Sequence, residues 1–302
     1  MEDGAQLCFP LHINTSCRRP TSTWPEAVVS YSVSVFTVAL NLLVIIAISH
    51  FRQLHTPTNI LLLSLAVSDL LVGLLLMPGE ILMKGSCWFL GDLVCSLCIY
   101  VSFIVTSASV GDMVLISVDR YVAICDPLRY GTRVTEGRVK VCVCACWLVS
   151  VFYNSLCMKD DLMRPGRLNS CYGECLIVIG YVAGAVDLVL TFVVPITVIV
   201  VLYTRVFVVA VSQARAMRCH VTGVTLQLSA TVNSRRSELK AARTLGVLVL
   251  VFLLSFCPYY GVSLAGSTCS IPPLAPFVIL FYFNSCLNPF IYALFYPGSE
   301  RQ

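Results

Sequence analysis

Asp187 lies inside the apolar run Leu176-Ile-Val-Ile-Gly-Tyr-Val-Ala-Gly-Ala-Val-Asp187-Leu-Val-Leu-Thr-Phe-Val-Val-Pro195, which contains no basic residue. A buried carboxylate without a counter-charge is costly, so a cationic ligand entering between membrane helices is the leading source of the missing charge. A second charged group, Asp119-Arg120-Tyr121, closes another apolar run. Its adjacent acid can hold Arg120, and Arg suits a movable anchor because it keeps its charge and offers several donors. Asp69, Ser109, Asn284, Ser285 and Asn288 place polar side chains in runs that are otherwise apolar. A hydrated cation such as sodium would satisfy Asp69 there, as would a purely hydrogen-bonded cluster. Asp112 is a further acid at a membrane position, either protonated or bonded to Trp147.

These groups belong to a chain of 302 residues that is 58% apolar and 12% charged, with a mean hydropathy of +0.85. That is too apolar for a soluble domain and long enough for seven spans of about 20 to 25 residues. The spans are expected at 27–49, 59–82, 92–124, 139–157, 177–210, 239–264 and 273–295. A β-barrel is excluded, because barrel strands alternate over about ten residues whereas these runs stay apolar for about twenty. The predicted fold is all-α, a seven-transmembrane helix bundle at 27–295, with an exterior tail at 1–26 and a truncated cytosolic tail at 296–302. Pro195, Pro258 and Pro289 each remove a helix hydrogen bond and provide pivots.

With the N-terminus outside, Arg18, Arg19, Lys84, Lys159, Arg164 and Arg167 face the exterior, and the remaining Lys and Arg residues lie at or beyond the cytosolic ends. The positive-inside bias favours that orientation. The formal net charge of +4 therefore implies no nucleic acid, since the excess sits beside the lipids of the inner leaflet and a cytosolic partner. The acidic start Met-Glu-Asp-Gly-Ala-Gln is not read as a cleavable signal peptide. Asn14-Thr15-Ser16 is an exterior glycosylation acceptor.

Of the 16 cysteines, Cys98, Cys142, Cys144, Cys146, Cys257 and Cys286 fall within spans and read as buried thiols. Cys8, Cys17, Cys87, Cys95, Cys171, Cys175 and Cys269 face an oxidising compartment, and spacing alone does not pair them. An enzyme would need an acid or nucleophile paired with a base inside the bundle, but His12 is in the exterior tail and His50, His55 and His220 are on the cytosolic side. A transporter would show broken helices or two related halves, with Asp187 as an ion site.

The motifs resemble the rhodopsin-like G-protein-coupled receptors in every span. They are Asn41 in Ala-Leu-Asn41-Leu-Leu-Val, Leu63-Ser-Leu-Ala-Val-Ser-Asp69, Asp119-Arg120-Tyr121, Trp147, Pro195 with Tyr203, Phe252 with Pro258, and Asn288-Pro289-Phe-Ile-Tyr292. Within that family the chain resembles the trace amine-associated receptors, and their fish olfactory branch most. The carriers are Cys125-Asp-Pro-Leu-Arg-Tyr130, Ser237-Glu-Leu-Lys-Ala-Ala-Arg-Thr-Leu245 and the paired Cys171-Tyr-Gly-Glu-Cys175.

The resemblance implies an olfactory receptor for a monoamine or diamine, raising cyclic AMP through a stimulatory heterotrimeric G protein, with no catalytic residues. Amine receptors usually carry the ammonium-binding acid 18 residues before the Arg of Asp-Arg-Tyr, and Ser102 stands there. The acid has moved to Asp187, eight residues before Pro195, about 12 Å along a helix and near the cavity. Ser102, Phe103, Thr106, Phe256, Tyr259, Tyr260 and Tyr282 would surround the ligand, and Glu80 is a candidate second anionic site. The resemblance also implies sodium at the Asp69 cluster, inward movement of Tyr203 and Tyr292 to support Arg120, and disulfides Cys95–Cys175 and Cys171–Cys17. Phe256 replaces the usual Trp two residues before Pro258, and the chain stops where a short eighth helix should begin. The alternative is an orphan or weakly functional receptor whose Asp187 serves internal structure.

Overall fold

The computed structural model describes residues 24–85, 88, 90–159, 163, 175, 181–220, 246–247, 250–257 and 282–290. Helices account for nearly all of them. The first span is α1 (Trp24–His50). The second combines α2 (Pro57–Leu71), a π-helical turn (Val72–Leu76) and α3 (Met77–Gly85). The third is α4 (Gly91–Cys125), followed by the short α5 (Pro127–Arg133) and the fourth span, α6 (Glu136–Cys157). The fifth combines α7 (Tyr181–Leu188), a π turn (Val189–Val193) and α8 (Val194–His220). Among the described residues, five helices are long and apolar enough to cross a membrane, at 27–50, 57–82, 93–125, 136–157 and 184–209. Residues 250–257 and 282–290 are helical and fall inside the expected sixth and seventh spans.

The helix starts follow local chemistry. Thr56 accepts a hydrogen bond from the Asn59 amide at 3.3 Å and Pro57 occupies the first turn, so α2 begins with a capped end. The fourth span starts three residues before its apolar run, because Glu136 and Lys140 form a 2.5 Å pair one turn apart and extend the helix without adding hydrophobicity. Arg138 donates to the carbonyls of Thr132 and Arg133 at 3.1 Å, tying off the end of α5.

Burial is inverted relative to a soluble protein. Asn41, Ser68, Asp69, Asp112 and Asn288 are fully buried, while Val35, Phe36, Leu43, Leu148, Phe152 and Phe207 are exposed. Helices that keep their backbone bonds internal and turn apolar side chains outward are suited to hydrocarbon surroundings. The main core gathers Leu65, Met113, Ile116, Ile199, Phe252 and Phe256, around a third span that packs against the second, fourth and fifth.

Pro78 and Pro195 each stand two positions after the end of a π turn. Each ring would meet the carbonyl four residues earlier, at Leu74 and Thr191, and the wider turn accommodates it. Pro78 was not foreseen as a break in the second span. Cys95 and Cys175 form a disulfide with a Cα separation of 5.8 Å, packed against Trp88, whose indole donates to Gly91 O at 2.8 Å. Gly91 has φ of +80°, a conformation that favours glycine.

The third and fourth spans approach closely at Gly111. A Cβ added there would lie 2.3 Å from Cys146 Sγ. Gly111→Ala should therefore lower the melting temperature of the purified protein, by an overpacking cost of about 1 to 3 kcal/mol. Adding Cys146→Ala should restore most of the loss. A double variant no more stable than Gly111→Ala alone would show that the two helices do not meet through this pair.

Candidate ligand and transduction sites

Asp187 is half-buried in the last turn of α7, two positions before the π turn begins. Its Oδ1 accepts a hydrogen bond from the Tyr153 hydroxyl of the fourth span at 3.3 Å, and its Oδ2 lies 3.5 Å from Thr191 Oγ1. Thr191 also donates to the Asp187 carbonyl at 2.7 Å. The segment contains no basic residue, and Thr191 offers a hydroxyl in place of a counter-charge. The π turn offsets the upper half of the fifth span from the lower, and a Tyr hydroxyl across the interface meets the carboxylate. Among the described residues, the ion pairs join Arg120 to Asp119, Arg133 to Asp126 and Lys140 to Glu136, so Asp187 is held by hydroxyls.

A cavity of about 270 Å³ opens between the second, third and seventh spans, where Glu80, Ser102 and Tyr282 line it together with Leu76, Cys98 and Val101. The structure thus brings three expected ligand residues together. Asp187 is not among the described residues lining this cavity. Phe103 and Thr106 are half-buried on the third span. Phe256 is buried in the main core against Phe252, with ring centroids 4.1 Å apart and tilted by 31°. Tyr259, Tyr260, Pro258, Tyr292, Cys17, Cys171 and Asn14 lie outside the described residues.

Deeper in the bundle, Asn288 Nδ2 donates to Asp69 Oδ2 at 2.7 Å, joining the second and seventh spans. Asn41 Nδ2 donates to Ser285 O at 3.0 Å and brings in the first. Asp69 Oδ1 and the side-chain oxygens of Asn41, Asn284 and Asn288 are buried without a hydrogen-bond partner. Ser109 and Ser285 are also buried. One layer further, Ser64 donates to both Asp112 oxygens at 3.0 and 2.8 Å and accepts from Trp147 Nε1 at 3.0 Å. Trp147 therefore bonds to Ser64 rather than to Asp112.

At the end of the third span, Arg120 Nε donates to Asp119 Oδ2 at 2.9 Å, and its Nη2 contacts both Asp119 and Thr58. Thr58 donates to Asp119 Oδ2 at 2.9 Å, and Tyr130 of α5 donates to Oδ1 at 2.8 Å. Burial, with Asp119 beside it, raises the Tyr130 phenol above its ordinary range and keeps it a donor. Tyr121 packs against Ile124 and Val206, while Tyr203 packs against the main core.

Sequence reasoning missed Thr58, Tyr130, Tyr153 and Thr191 as partners of these acids. Tyr130 had a readable signal, since Pro127 starts a short helix directly after the third span and carries Tyr130 back toward Asp119. Tyr153 had none, being one more aromatic in an apolar run.

Residues 40–292 match the 7 transmembrane receptor (rhodopsin family). The chain is 38% identical to trace amine-associated receptor 13c of Danio rerio, covering 99% of this chain and 91% of that protein. It is also 38% identical to trace amine-associated receptor 8b of Mus musculus, over 99% and 92%. Trace amine-associated receptor 7e of Mus musculus is 36% identical, over 99% and 87%. Fish and mouse relatives are thus equally similar, so these identities support the family and not a fish branch within it. The matched length, the helical bundle and the Asp119-Arg120-Tyr121 cluster agree: the chain is a receptor rather than an enzyme, and it belongs to the trace amine-associated receptors of the rhodopsin-like G-protein-coupled family.

Proposed function

We propose that this receptor detects amines, with its N-terminus outside the cell, and that Asp187 holds the ligand's ammonium. The observation that carries the reading is a carboxylate inside the fifth span whose partners among the described residues are the hydroxyls of Tyr153 and Thr191. Tyr153 donates to the carboxylate while Thr191 directs its one proton to the Asp187 backbone carbonyl at 2.7 Å, so most of the carboxylate's roughly four acceptor sites stay open, and an ammonium supplies both the missing charge and the missing donors. The names of the relatives point to the same ligand class. The proposed output is stimulatory G-protein coupling and cyclic AMP, and the proposed setting is the olfactory sensory neuron.

The same hydroxyls favour a second reading, in which Asp187 is internally satisfied and the ligand is of another kind. Asp187→Ala separates the two. With surface level matched, amine potency in a cyclic AMP reporter should fall at least a hundredfold, as expected from roughly 3 kcal/mol for truncating one side of a buried charge pair. Unchanged potency would leave Asp187 as structure. A panel of purified G proteins checks the coupling, and silence from the stimulatory member would reject that part.

Sodium at Asp69 belongs to the same proposal. Buried oxygens on Asp69, Asn284 and Asn288 without hydrogen-bond partners make a hard-oxygen set suited to a small cation. An ion bound there would supply positive charge to the layer joining the second and seventh spans. Amine affinity should fall several-fold with added sodium in the wild type and stay flat in Asp69→Asn.

The resting state should depend on the groups that hold Asp119. Tyr130→Phe removes one donor to a charged acceptor, worth about 1.5 kcal/mol, or roughly tenfold in the ratio of resting to active receptor. Ligand-free cyclic AMP should rise in that variant and in Thr58→Ala. Basal signalling equal to the wild type in both would show that Arg120 alone controls Asp119.

A further inference from the structure

We propose that the gap between the second and third spans binds one acyl chain of an outer-leaflet phospholipid, which enters the cavity sideways from the bilayer between Leu75 and Leu97. The proposal goes beyond the amine reading and does not rest on it.

The mouth of the cavity faces hydrocarbon. Leu75 and Leu97 line it from the two spans and are 51% and 44% exposed, whereas Leu76, next along the second span, lines it from within and is 6% exposed. Exposed leucines on both sides of a gap with a buried inner wall place the opening on the outer surface of the bundle. Leu74, Leu93 and Val94 continue that exposed apolar surface. In a membrane-spanning bundle such a surface meets lipid chains. The height agrees. Leu75 lies seven residues from the end of its span at Leu82 and Leu97 four from the start of its own at Leu93, about 10 and 6 Å along the helix axes. Both fall within the roughly 15 Å of hydrocarbon that belongs to one leaflet. The Cys95–Cys175 disulfide, two residues from Leu97, marks that leaflet as the outer one, since disulfides persist on the oxidising side.

The walls select a hydrocarbon chain. Ser102 donates its hydroxyl proton to Ile99 O at 2.7 Å within its own helix, and Glu80 and Tyr282 each already interact within the protein. The polar part of the lining is thus engaged, and the rest includes Leu75, Leu76, Leu97, Val101 and the thiol of Cys98. About 270 Å³ has room for roughly nine groups of water size, which suits a stretch of methylenes and is too small for the fused rings of a sterol. Lipid tails are as apolar as leucine, so the gain is not transfer from water. It is dispersion contact along walls that would otherwise lack partner atoms. Gly79 also lines the cavity, and a Cβ built there meets nothing within 4 Å, so the second span leaves space for the chain.

The full-length receptor, in nanodiscs of phosphatidylcholine with a diazirine part-way along one acyl chain, would be irradiated and its adducts mapped by peptide mass. Lipid passing over the surface labels Leu74, Leu75 and Leu93, whereas a chain inside the cavity also labels Leu76 and Val101. Gly79→Phe fills the cavity from its wall and should lower the Leu76 and Val101 adducts by about fivefold or more relative to Leu74. Leu97→Trp narrows the mouth at an exposed position and should do the same, which decides the matter if Gly79→Phe fails to fold. Wild-type labelling confined to Leu74, Leu75 and Leu93, or Leu76 and Val101 adducts unchanged by Leu97→Trp, overturns the site.

Two further arms identify the occupant. A diazirine-bearing sterol at the same mole fraction should label Leu74 and spare Leu76 and Val101; preferential labelling of those two by the sterol overturns the acyl-chain assignment. Cys98 is a free thiol in the lining and reports on water. Its reaction with the permanently charged 2-(trimethylammonium)ethyl methanethiosulfonate should be about a hundredfold slower in nanodiscs than in the denatured receptor, because a chain excludes both water and reagent. A rate close to that of the denatured receptor marks a water-filled cavity and overturns the proposal.

Discussion

A carboxylate inside a hydrocarbon-embedded bundle must find charge or donors within the protein, and this requirement organises the structure. An acid at the centre of a membrane helix costs about 3 kcal/mol on insertion scales, so each one constrains the helices around it. Asp119 is answered by a cation, Arg120, with Thr58 and Tyr130 completing its shell. Asp112 is answered by the Ser64 hydroxyl, itself fixed by Trp147, which joins the second, third and fourth spans through one carboxylate. Asp69 takes an amide donor from Asn288 and thereby binds the seventh span to the second. Asp187 is answered more weakly, by hydroxyls at 3.3 and 3.5 Å. Asp119, Asp112 and Asp69 tie helices together through contacts of 2.7 to 3.0 Å, whereas the contacts of Asp187 are longer, and Asp69 keeps one oxygen without a hydrogen-bond partner.

Helix breaks distribute these acids. The second and fifth spans both contain a π turn ahead of a proline, and Glu80 and Asp187 lie within a few residues of those turns. A π turn changes which face the next residues present, so a polar side chain can be directed inward from a helix whose other residues meet lipid. The fifth span shows the outcome, since Val186, Val189 and Leu190 are exposed while Asp187 between them is half-buried.

Much of this was legible in the sequence because hydropathy and helix breakers act locally. The first and third spans, expected at 27–49 and 92–124, are found at 27–50 and 93–125. The pairing of Asp119 with Arg120 was legible for the same reason, being between adjacent residues. Contacts across helices were harder to read. Tyr153 meets Asp187 across 34 positions and Thr58 meets Asp119 across 61, and the residue type of each is ordinary for its surroundings. Of the two readings of Asp112, protonated or bonded to Trp147, the direct bond is absent, and the indole donates to Ser64, whose hydroxyl lies between the two and donates to Asp112. Counting turns from Pro195 gives the height of Asp187 in the span, but the direction of its side chain depends on the contact with Tyr153 across helices.

The third span connects the layers. It runs unbroken from Gly91 to Cys125 with no internal proline, and it carries Ser102 at the cavity, Asp112 in the polar core and Arg120 at the far end. Ser102 and Arg120 are 18 residues apart, about 27 Å of continuous helix. A continuous helix of that length transmits a shift or rotation with little internal loss, whereas the second and fifth spans packed against it are interrupted by π turns. A ligand that draws an interrupted helix toward the third span therefore works against a fixed rod. At Val72–Leu76 and Val189–Val193 the backbone hydrogen-bond pattern departs from the α-helix. Gly111 lets the third span lie close to the fourth, which braces it there.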